Sequence, residues 1–166
     1  MIRFMSSESP LRRQEEKFLV SKKLMNRVLT HLKCVPIYPP RMVNSVYFDT
    51  KHHDHFRDGE EGSVPRVKYR FRWYGDPDII PESGKFEIKS TFDHHREKSS
   101  RKLLYSALDN VLSEIFDETG DSLWPVCQIS YRRAYWEGVD NTRLTYDYGI
   151  CFQAHQSPAR HHISHE

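Results

Sequence analysis

Charged and apolar residues alternate at every second position through RVKYRFRWY (66–74), the period of an extended strand whose two faces meet different surroundings. Arg66, Lys68, Arg70, Arg72 and Tyr74 fall on one face, and Val67, Tyr69, Phe71 and Trp73 on the other. KFEIKST repeats the pattern, with Lys85, Glu87, Lys89 and Thr91 set against Phe86, Ile88, Ser90 and Phe92. In TRLTYDYGI the polar set is Arg143, Thr145 and Asp147, opposed by Leu144, Tyr146, Tyr148 and Ile150. Arg96 and Lys98 share a face in HREKS, as do Arg13, Glu15 and Lys17 in a first strand predicted over 12–20. Further strands are predicted near 43–49, 66–74, 85–92, 94–100, 126–137 and 142–153.

Helical spacing interrupts this series twice. Ser21 suits an N-cap, and Leu24, Val28 and Leu32, joined by Met25 and Leu29, recur every three to four residues, until Pro36, Pro39 and Pro40 break the chain. A second helix near 103–118 presents Leu104, Leu108, Val111, Leu112 and Ile115 on one side, fit to cover the apolar face of a sheet. The polar run TKHHDHFRDGEEG reads as a turn or short helix. The fold class is therefore α+β, an antiparallel β tunnel or barrel with flanking helices. A mobile leader over 1–10, one domain over 11–153 and a disordered tail over 154–166 complete the organisation.

Composition narrows this picture without redrawing it. A chain of 166 residues fits one domain, and 13% aromatic residues argue for a packed β-rich core. The net charge is only +2, so an anionic partner would be recognised by where positive charge sits rather than by its total. Cys34, Cys127 and Cys151 lack CxxC spacing, which favours reduced thiols, a cytoplasmic setting and no zinc. No stretch approaches the ~20 apolar residues that span a bilayer, so no membrane insertion is expected.

The clustered cations carry the chemistry. Antiparallel sheets commonly wet one face, and for a single strand that accounts for the pattern. Across several strands, with carboxylates isolated among cations at Glu15, Glu87 and Asp147, convergence on a shared interior accounts for it better. Such an interior needs a counter-anion, because an unpaired buried charge costs several kcal/mol. A chain of phosphates supplies one: its oxygens accept bidentate contacts from Arg and point-charge contacts from Lys. A divalent metal on the carboxylates, Mg²⁺ or Mn²⁺ as hard ions, would bridge those phosphates.

Taken together and in order, RQEEKFLV, VNSVYFDT, RVKYRFRWYG, KFEIKS, REKSS, YRRAYW and RLTYDYGICF resemble the polyphosphate polymerase (VTC, vacuolar transporter chaperone) domain of the triphosphate tunnel metalloenzymes. The resemblance implies a tunnel in which ATP gives its γ-phosphate to a growing polyphosphate chain with Mn²⁺ or Mg²⁺ and no covalent protein nucleophile. It implies catalytic, phosphate-binding roles for Lys17, Arg70, Arg72, Lys89 and Arg133, further phosphate contacts from Lys68, Arg96, Lys98 and Arg143, and metal binding by Glu15 and Glu87. The chain departs from that pattern in three places. Arg13 stands where the superfamily's first strand has an earlier glutamate, and Thr91 where some relatives have histidine. The sequence ends before the family's last E-x-K strand and S-K-Y/F segment, so the barrel is expected to be incomplete along one side, with strand edges open to self-association.

Other readings compete with this one. His52, His53 and His55 beside Asp54, then His94 and His95, then His161, His162 and His165, read better as solvated side chains than as a metal site. Trp73, Tyr131, Tyr135 and Trp136 could stack nucleic-acid bases, but their alternation favours core or helix contacts, and no specific nucleic acid is expected as a partner. Arg132 and Arg133 must face opposite ways in a strand, and the family pattern selects Arg133. Two function classes follow: a metal-dependent transferase acting on ATP and polyphosphate, with triphosphate hydrolysis as a related activity, or a non-catalytic module that binds polyphosphate or triphosphate.

Overall fold

The computed structural model describes residues 16–79, 81–93, 95–139 and 141–155, with the backbone of 160–162. Ser21 caps helix α1 (Lys22–His31), its Oγ accepting the Leu24 N–H at 3.3 Å, as the apolar spacing predicts. The strand expected before it is not formed in its described part: residues 16–20 carry no sheet pairing, and Phe18 and Leu19 are exposed. A strand forms only where a neighbouring edge takes up its backbone N–H and C=O groups, and among the described residues none borders this segment. Residues 12–15, with Arg13 and Glu15, lie outside the described residues.

Strand β1 (Val35–Asp49) runs through Pro36, Pro39 and Pro40, where the sequence predicts a break. Strand β5 (Trp124–Glu137) pairs along its whole length, whereas strand β2 (Arg66–Tyr74) joins only from Val43 onward. On that one-sided stretch a proline forfeits no ladder bond towards β2, and register shifts between Pro36 and Tyr38 and between Tyr38 and Arg41 absorb the rest. At the other end of β1 the buried Asp49 carboxylate accepts the N–H groups of Thr50, His55 and Phe56 at 2.7, 3.0 and 2.9 Å. It thereby fixes the start of helix α2 (Asp54–Glu61), the short-helix alternative for the TKHHDHFRDGEEG run.

Strands β3 (Ser83–Phe92) and β4 (His95–Leu104) continue from β2 as a meander, while strands β6 (Arg143–Ala154) and β7 (Arg160–His162) extend the sheet beyond β5. The strand order is β4-β3-β2-β1-β5-β6-β7, antiparallel throughout. Among the described residues the sheet does not close, and β4 and β7 are its edges. The architecture is α+β, an antiparallel tunnel-like sheet open along one side. Helix α3 (Leu108–Thr119) starts later than its apolar spacing predicts, because Leu103 and Leu104 finish β4 and Tyr105–Ala107 form a single 3₁₀ turn. Leu104 is accordingly exposed instead of facing the sheet. Strand β7 falls within the stretch expected as tail, where no hydrophobic pattern announces it.

The core lies on one side of the sheet. Phe48 of β1, Tyr69, Phe71 and Trp73 of β2 and Phe86 of β3 pack with Leu108, Val111 and Ile115 of α3 and with Leu123. This is the apolar half of the alternation, and it leaves the other face of β1–β4 to the charged residues. Close approach of two strands depends on Gly84: a Cβ there would meet the Arg72 carbonyl oxygen and the Phe71 ring, each at 2.5 Å. Phe71 is fully buried and cannot retreat. We predict that Gly84→Ala lowers stability by about 1–3 kcal/mol in urea unfolding through this overpacking. Gly59→Ala serves as the control, since its nearest neighbour is the flexible end of Lys68 and it is expected to be neutral or mildly stabilising.

Candidate functional site

Cross-strand register aligns the charged face into rows. Lys68, Lys89 and Lys98 stand opposite one another across β2, β3 and β4. The next row is Tyr47, Arg70, Glu87 and Ser100, and the one after it Ser45, Arg72, Lys85 and Lys102. Rows are about 7 Å apart along a strand and their members about 5 Å apart across it. Arg96 lies opposite Thr91, beyond the lysine row. A polyanion laid along β2 would therefore meet a cation at every step, and one laid along either of the outer two rows would meet cations on β2, β3 and β4 in turn.

Glu87 sits at the centre of the face and is 4% exposed. Its Oε2 accepts from Arg70 Nε at 2.7 Å and lies 3.6 Å from Arg72 Nη1, while Oε1 is 2.6 Å from Lys98 Nζ. Burial alone would raise the Glu87 pKa. Hydrogen bonds from Lys98 and Arg70 and the charges of Arg70 and Arg72 outweigh it and hold the carboxyl at about 2. The guanidiniums are steered from the other side as well, Arg70 Nη1 donating to the Tyr47 hydroxyl and Arg72 Nε to Ser45 Oγ, both at 3.2 Å. Burial would weaken the Arg70 charge, but its bonds to Glu87 and Tyr47 raise its pKa above the ordinary value. Lys89 shifts the opposite way: partial desolvation and then the charges of Arg70 and Lys98 lower its pKa.

A second cation stands on the neighbouring strands. Arg133 of β5 donates from Nε and Nη2 to the two oxygens of Asp147 on β6, both at 2.6 Å, a fork-to-fork pair that raises the Arg133 pKa. Its guanidinium lies 5.2 Å from the centre of the Tyr131 ring. Burial raises the Tyr131 pKa, and Arg133, Arg72 and Arg70 each pull it back. Tyr131 therefore feels the cations of β2 and of β5 together. Tyr131 and Tyr135 do not occupy the core expected of them: they lie two residues either side of Arg133, so the alternation that brings Arg133 to the charged face brings them with it. Trp73 is buried in the core.

Of the residues singled out from the sequence, the structure gathers Arg70, Arg72, Lys89, Lys98 and Glu87 into one cluster, with Lys68 and Arg96 at its margin. Arg133 stands beside it across Tyr131. Arg143 is elsewhere, exposed at the far end of β6 and 3.8 Å from Glu137. Lys17 precedes α1 and belongs to no strand. Asp147, expected among the carboxylates of the shared interior, is the partner of Arg133, whereas Tyr47, Ser45 and Tyr131 hold or flank the cations without having been expected there from the sequence. For Ser45 and Tyr47 a signal existed, since alternation through VNSVYFD puts both on one face.

The described carboxylates that could serve Mg²⁺ or Mn²⁺ on this face are already engaged. Glu87 is the carboxylate of the cluster, and both its oxygens are held by cations; Asp147 is likewise held by Arg133. Among the described residues no group of three His, Cys, Asp or Glu side chains is placed to hold a metal ion. These residues alone do not fit a divalent cation, and Glu15 lies outside the described residues. Nor is any described helix long and apolar enough to cross a membrane.

The VTC domain family matches residues 12–166, and the chain belongs to that family. No curated protein matches the sequence. A putative adenylyl cyclase from Hippeastrum, described as revealing a dominant triphosphatase activity, shares the fold with a TM-score of 0.52 at 16% identity, over 84% of this chain and 77% of that one. Two putative adenylate cyclases are also similar. The one from Bacillus halodurans has a TM-score of 0.49 at 14% identity, covering 87% and 73% of the two chains. The one from Vibrio parahaemolyticus has 0.47 at 12% identity, covering 81% and 68%. The family is that of triphosphate tunnel proteins; it is related to triphosphate and polyphosphate binding and generally uses divalent metals.

A carboxyl held at about 2 against an ordinary 4.5 stabilises the fold fully above about pH 4.5, and that stabilisation is lost as the pH falls towards 2. The amount is at most on the order of 3 kcal/mol, reduced by solvent screening at the half-exposed Lys98. Glu87→Gln is expected to lower the melting temperature at neutral pH, because three cations then share a face without their counter-charge, and to flatten the acid limb of a stability profile. Tripolyphosphate should raise the melting temperature of the variant more than that of the wild type.

Proposed function

We propose that the charged face of β2, β3 and β4 binds a chain of phosphates and that the domain transfers the γ-phosphate of ATP to polyphosphate. One observation carries the reading: among the described residues Arg70, Arg72 and Lys98 converge on a single buried carboxylate, which leaves most of the positive charge of this face without a described counter-charge. Family membership supports the choice of ligand. In this reading Lys89, whose pKa is lowered by partial burial and then by its cationic neighbours, gains from an incoming anion. Arg70, Arg72 and Arg133 would hold successive phosphates in line and stabilise the equatorial oxygens of the γ-phosphoryl group as the acceptor's terminal oxygen attacks it and ADP leaves. Mn²⁺ or Mg²⁺ would arrive with the phosphates, and Lys17, Lys68, Arg96, Arg143 and Glu15 remain candidates for contacts outside the cluster.

Self-association belongs to the same proposal. Edge β4 carries Arg96, Lys98, Arg101 and Lys102, charges that oppose the pairing of two copies unless a polyanion lies between them.

The test is incubation of the full chain with ATP, short-chain polyphosphate and Mn²⁺ or Mg²⁺, following polymer and free phosphate separately. Polymer growth that falls at least about a hundredfold in Arg70→Ala, with the fold intact, is the expected result. Free phosphate without polymer would mean a triphosphate hydrolase, the activity described for the Hippeastrum protein. Neither product, together with a rise in melting temperature on adding tripolyphosphate, would mean a binding module.

A further inference from the structure

Arg41 is a cation on the charged face that is not presented as a phosphate fork. Its guanidinium lies 4.2 Å from the centre of the Tyr74 ring and 5.0 Å from that of Tyr135, and its Nε donates to the Tyr135 hydroxyl at 2.9 Å. Tyr38 meets Tyr135 edge-on with ring centres 5.8 Å apart. Four planar groups from β1, β2 and β5 are thus held against one another, yet Tyr74 remains 47% and Tyr38 63% exposed. Rigid aromatic surface left open to water at the end of a row of cations calls for an explanation, since core packing does not use it.

Register places this cluster relative to the phosphates. Strands β2 and β5 both pair antiparallel with β1, so they run in the same direction on either side of it. Each steps from a cation to a tyrosine two residues on, Arg72 to Tyr74 and Arg133 to Tyr135, a distance of about 7 Å on the same face. Arg41 lies opposite Arg133, and Val43, between the two steps, lies opposite both Tyr74 and Tyr131. Along β1 the order is therefore Arg72, Tyr74, Arg133 and Tyr135, and a ligand whose phosphates lie over Arg70 and Arg72 would carry whatever is attached to its α-phosphate towards the aromatic cluster.

Resting on the phosphate-binding reading of the face, we propose that Arg41, Tyr74, Tyr135 and Tyr38 form the seat of the base of a nucleoside triphosphate. A flat heterocycle stacks on tyrosine rings and on a guanidinium plane alike, and does so without a particular hydrogen-bond pattern. The cluster therefore separates nucleoside triphosphates from bare phosphate chains and leaves the identity of the base open. It gives the domain two kinds of ligand on one face: a donor anchored at its base, and an acceptor held by cations alone.

The test compares equilibrium binding of ATP and of tripolyphosphate by calorimetry in the wild type, Tyr74→Leu, Tyr74→Phe and Arg41→Gln. Tyr74→Leu and Arg41→Gln are expected to weaken ATP by about fivefold or more while leaving tripolyphosphate within about twofold, and Tyr74→Phe is expected to retain ATP. Unchanged ATP affinity in both Tyr74→Leu and Arg41→Gln, or equal losses for the two ligands, overturns the base site. If the wild type binds tripolyphosphate and only the base site fails, the phosphate face stands. If the wild type binds neither ligand, both readings fall. Unfolding midpoints keep a misfolded variant from passing as a binding defect, and with two independent positions the comparison survives the loss of one.

Discussion

Everything on the charged side of the sheet depends on one buried carboxylate. Glu87 is surrounded by Arg70, Arg72 and Lys98, drawn from two strands on either side of its own. Without it, adjacent cations on β2 and β4 would stand a few ångströms apart in a region partly withdrawn from water, where repulsion is strong. With it, each long side chain has a fixed direction before any ligand arrives, and the entropy of ordering them is already spent in folding. Ser45 and Tyr47 complete the arrangement from β1, so four neighbouring strands, β1 to β4, are tied through their side chains as well as through their backbones.

Such a centre is preorganised but incompletely neutralised. One carboxylate faces three cations, while Lys89, Lys68, Lys85 and Lys102 add charge in the rows beside it. Arg133 differs in kind. Its bidentate pair with Asp147 satisfies both partners, and its link to the cluster runs through Tyr131. The face is thus divided between a cation-rich half on β2–β4 and a more balanced, aromatic half on β1, β5 and β6. That division matches a ligand with a highly charged end and a flatter, less charged one.

The parts of this architecture legible in the sequence were those governed by short periods. Alternation in 66–74 placed every residue of β2 on its correct face, and the spacing around Ser21 located α1, because each pattern is decided by neighbours within one turn or one pleat. Leu103 and Leu104 fit a helix and a strand equally well, and the pairing of β4 with Ser83 and Gly84 decided for the strand. Pro36, Pro39 and Pro40 read as a break because a local rule cannot see that, among the described residues, one side of the strand is unbordered there. Tyr131 and Tyr135 read as core residues from their aromatic character, although alternation sets them on the face of Arg133; pairing with β1 shows that this whole face turns towards the cations. Glu87 was visible as a carboxylate among cations, but its role as their counter-ion became apparent only when β4 brought Lys98 alongside. Strand β7 owes its existence wholly to an available edge.

The contact at Gly84 ties the two sides of the sheet together mechanically. Its backbone rests against Phe71, and Phe71 lies between Arg70 and Arg72 in the chain, pointing the opposite way. A close-packed interior transmits displacement with little loss. Any change of volume beneath Phe71, in α3 or at Phe86, is therefore felt as a shift of both guanidiniums, and the aromatic core works as the bed on which the spacing of the charges is calibrated.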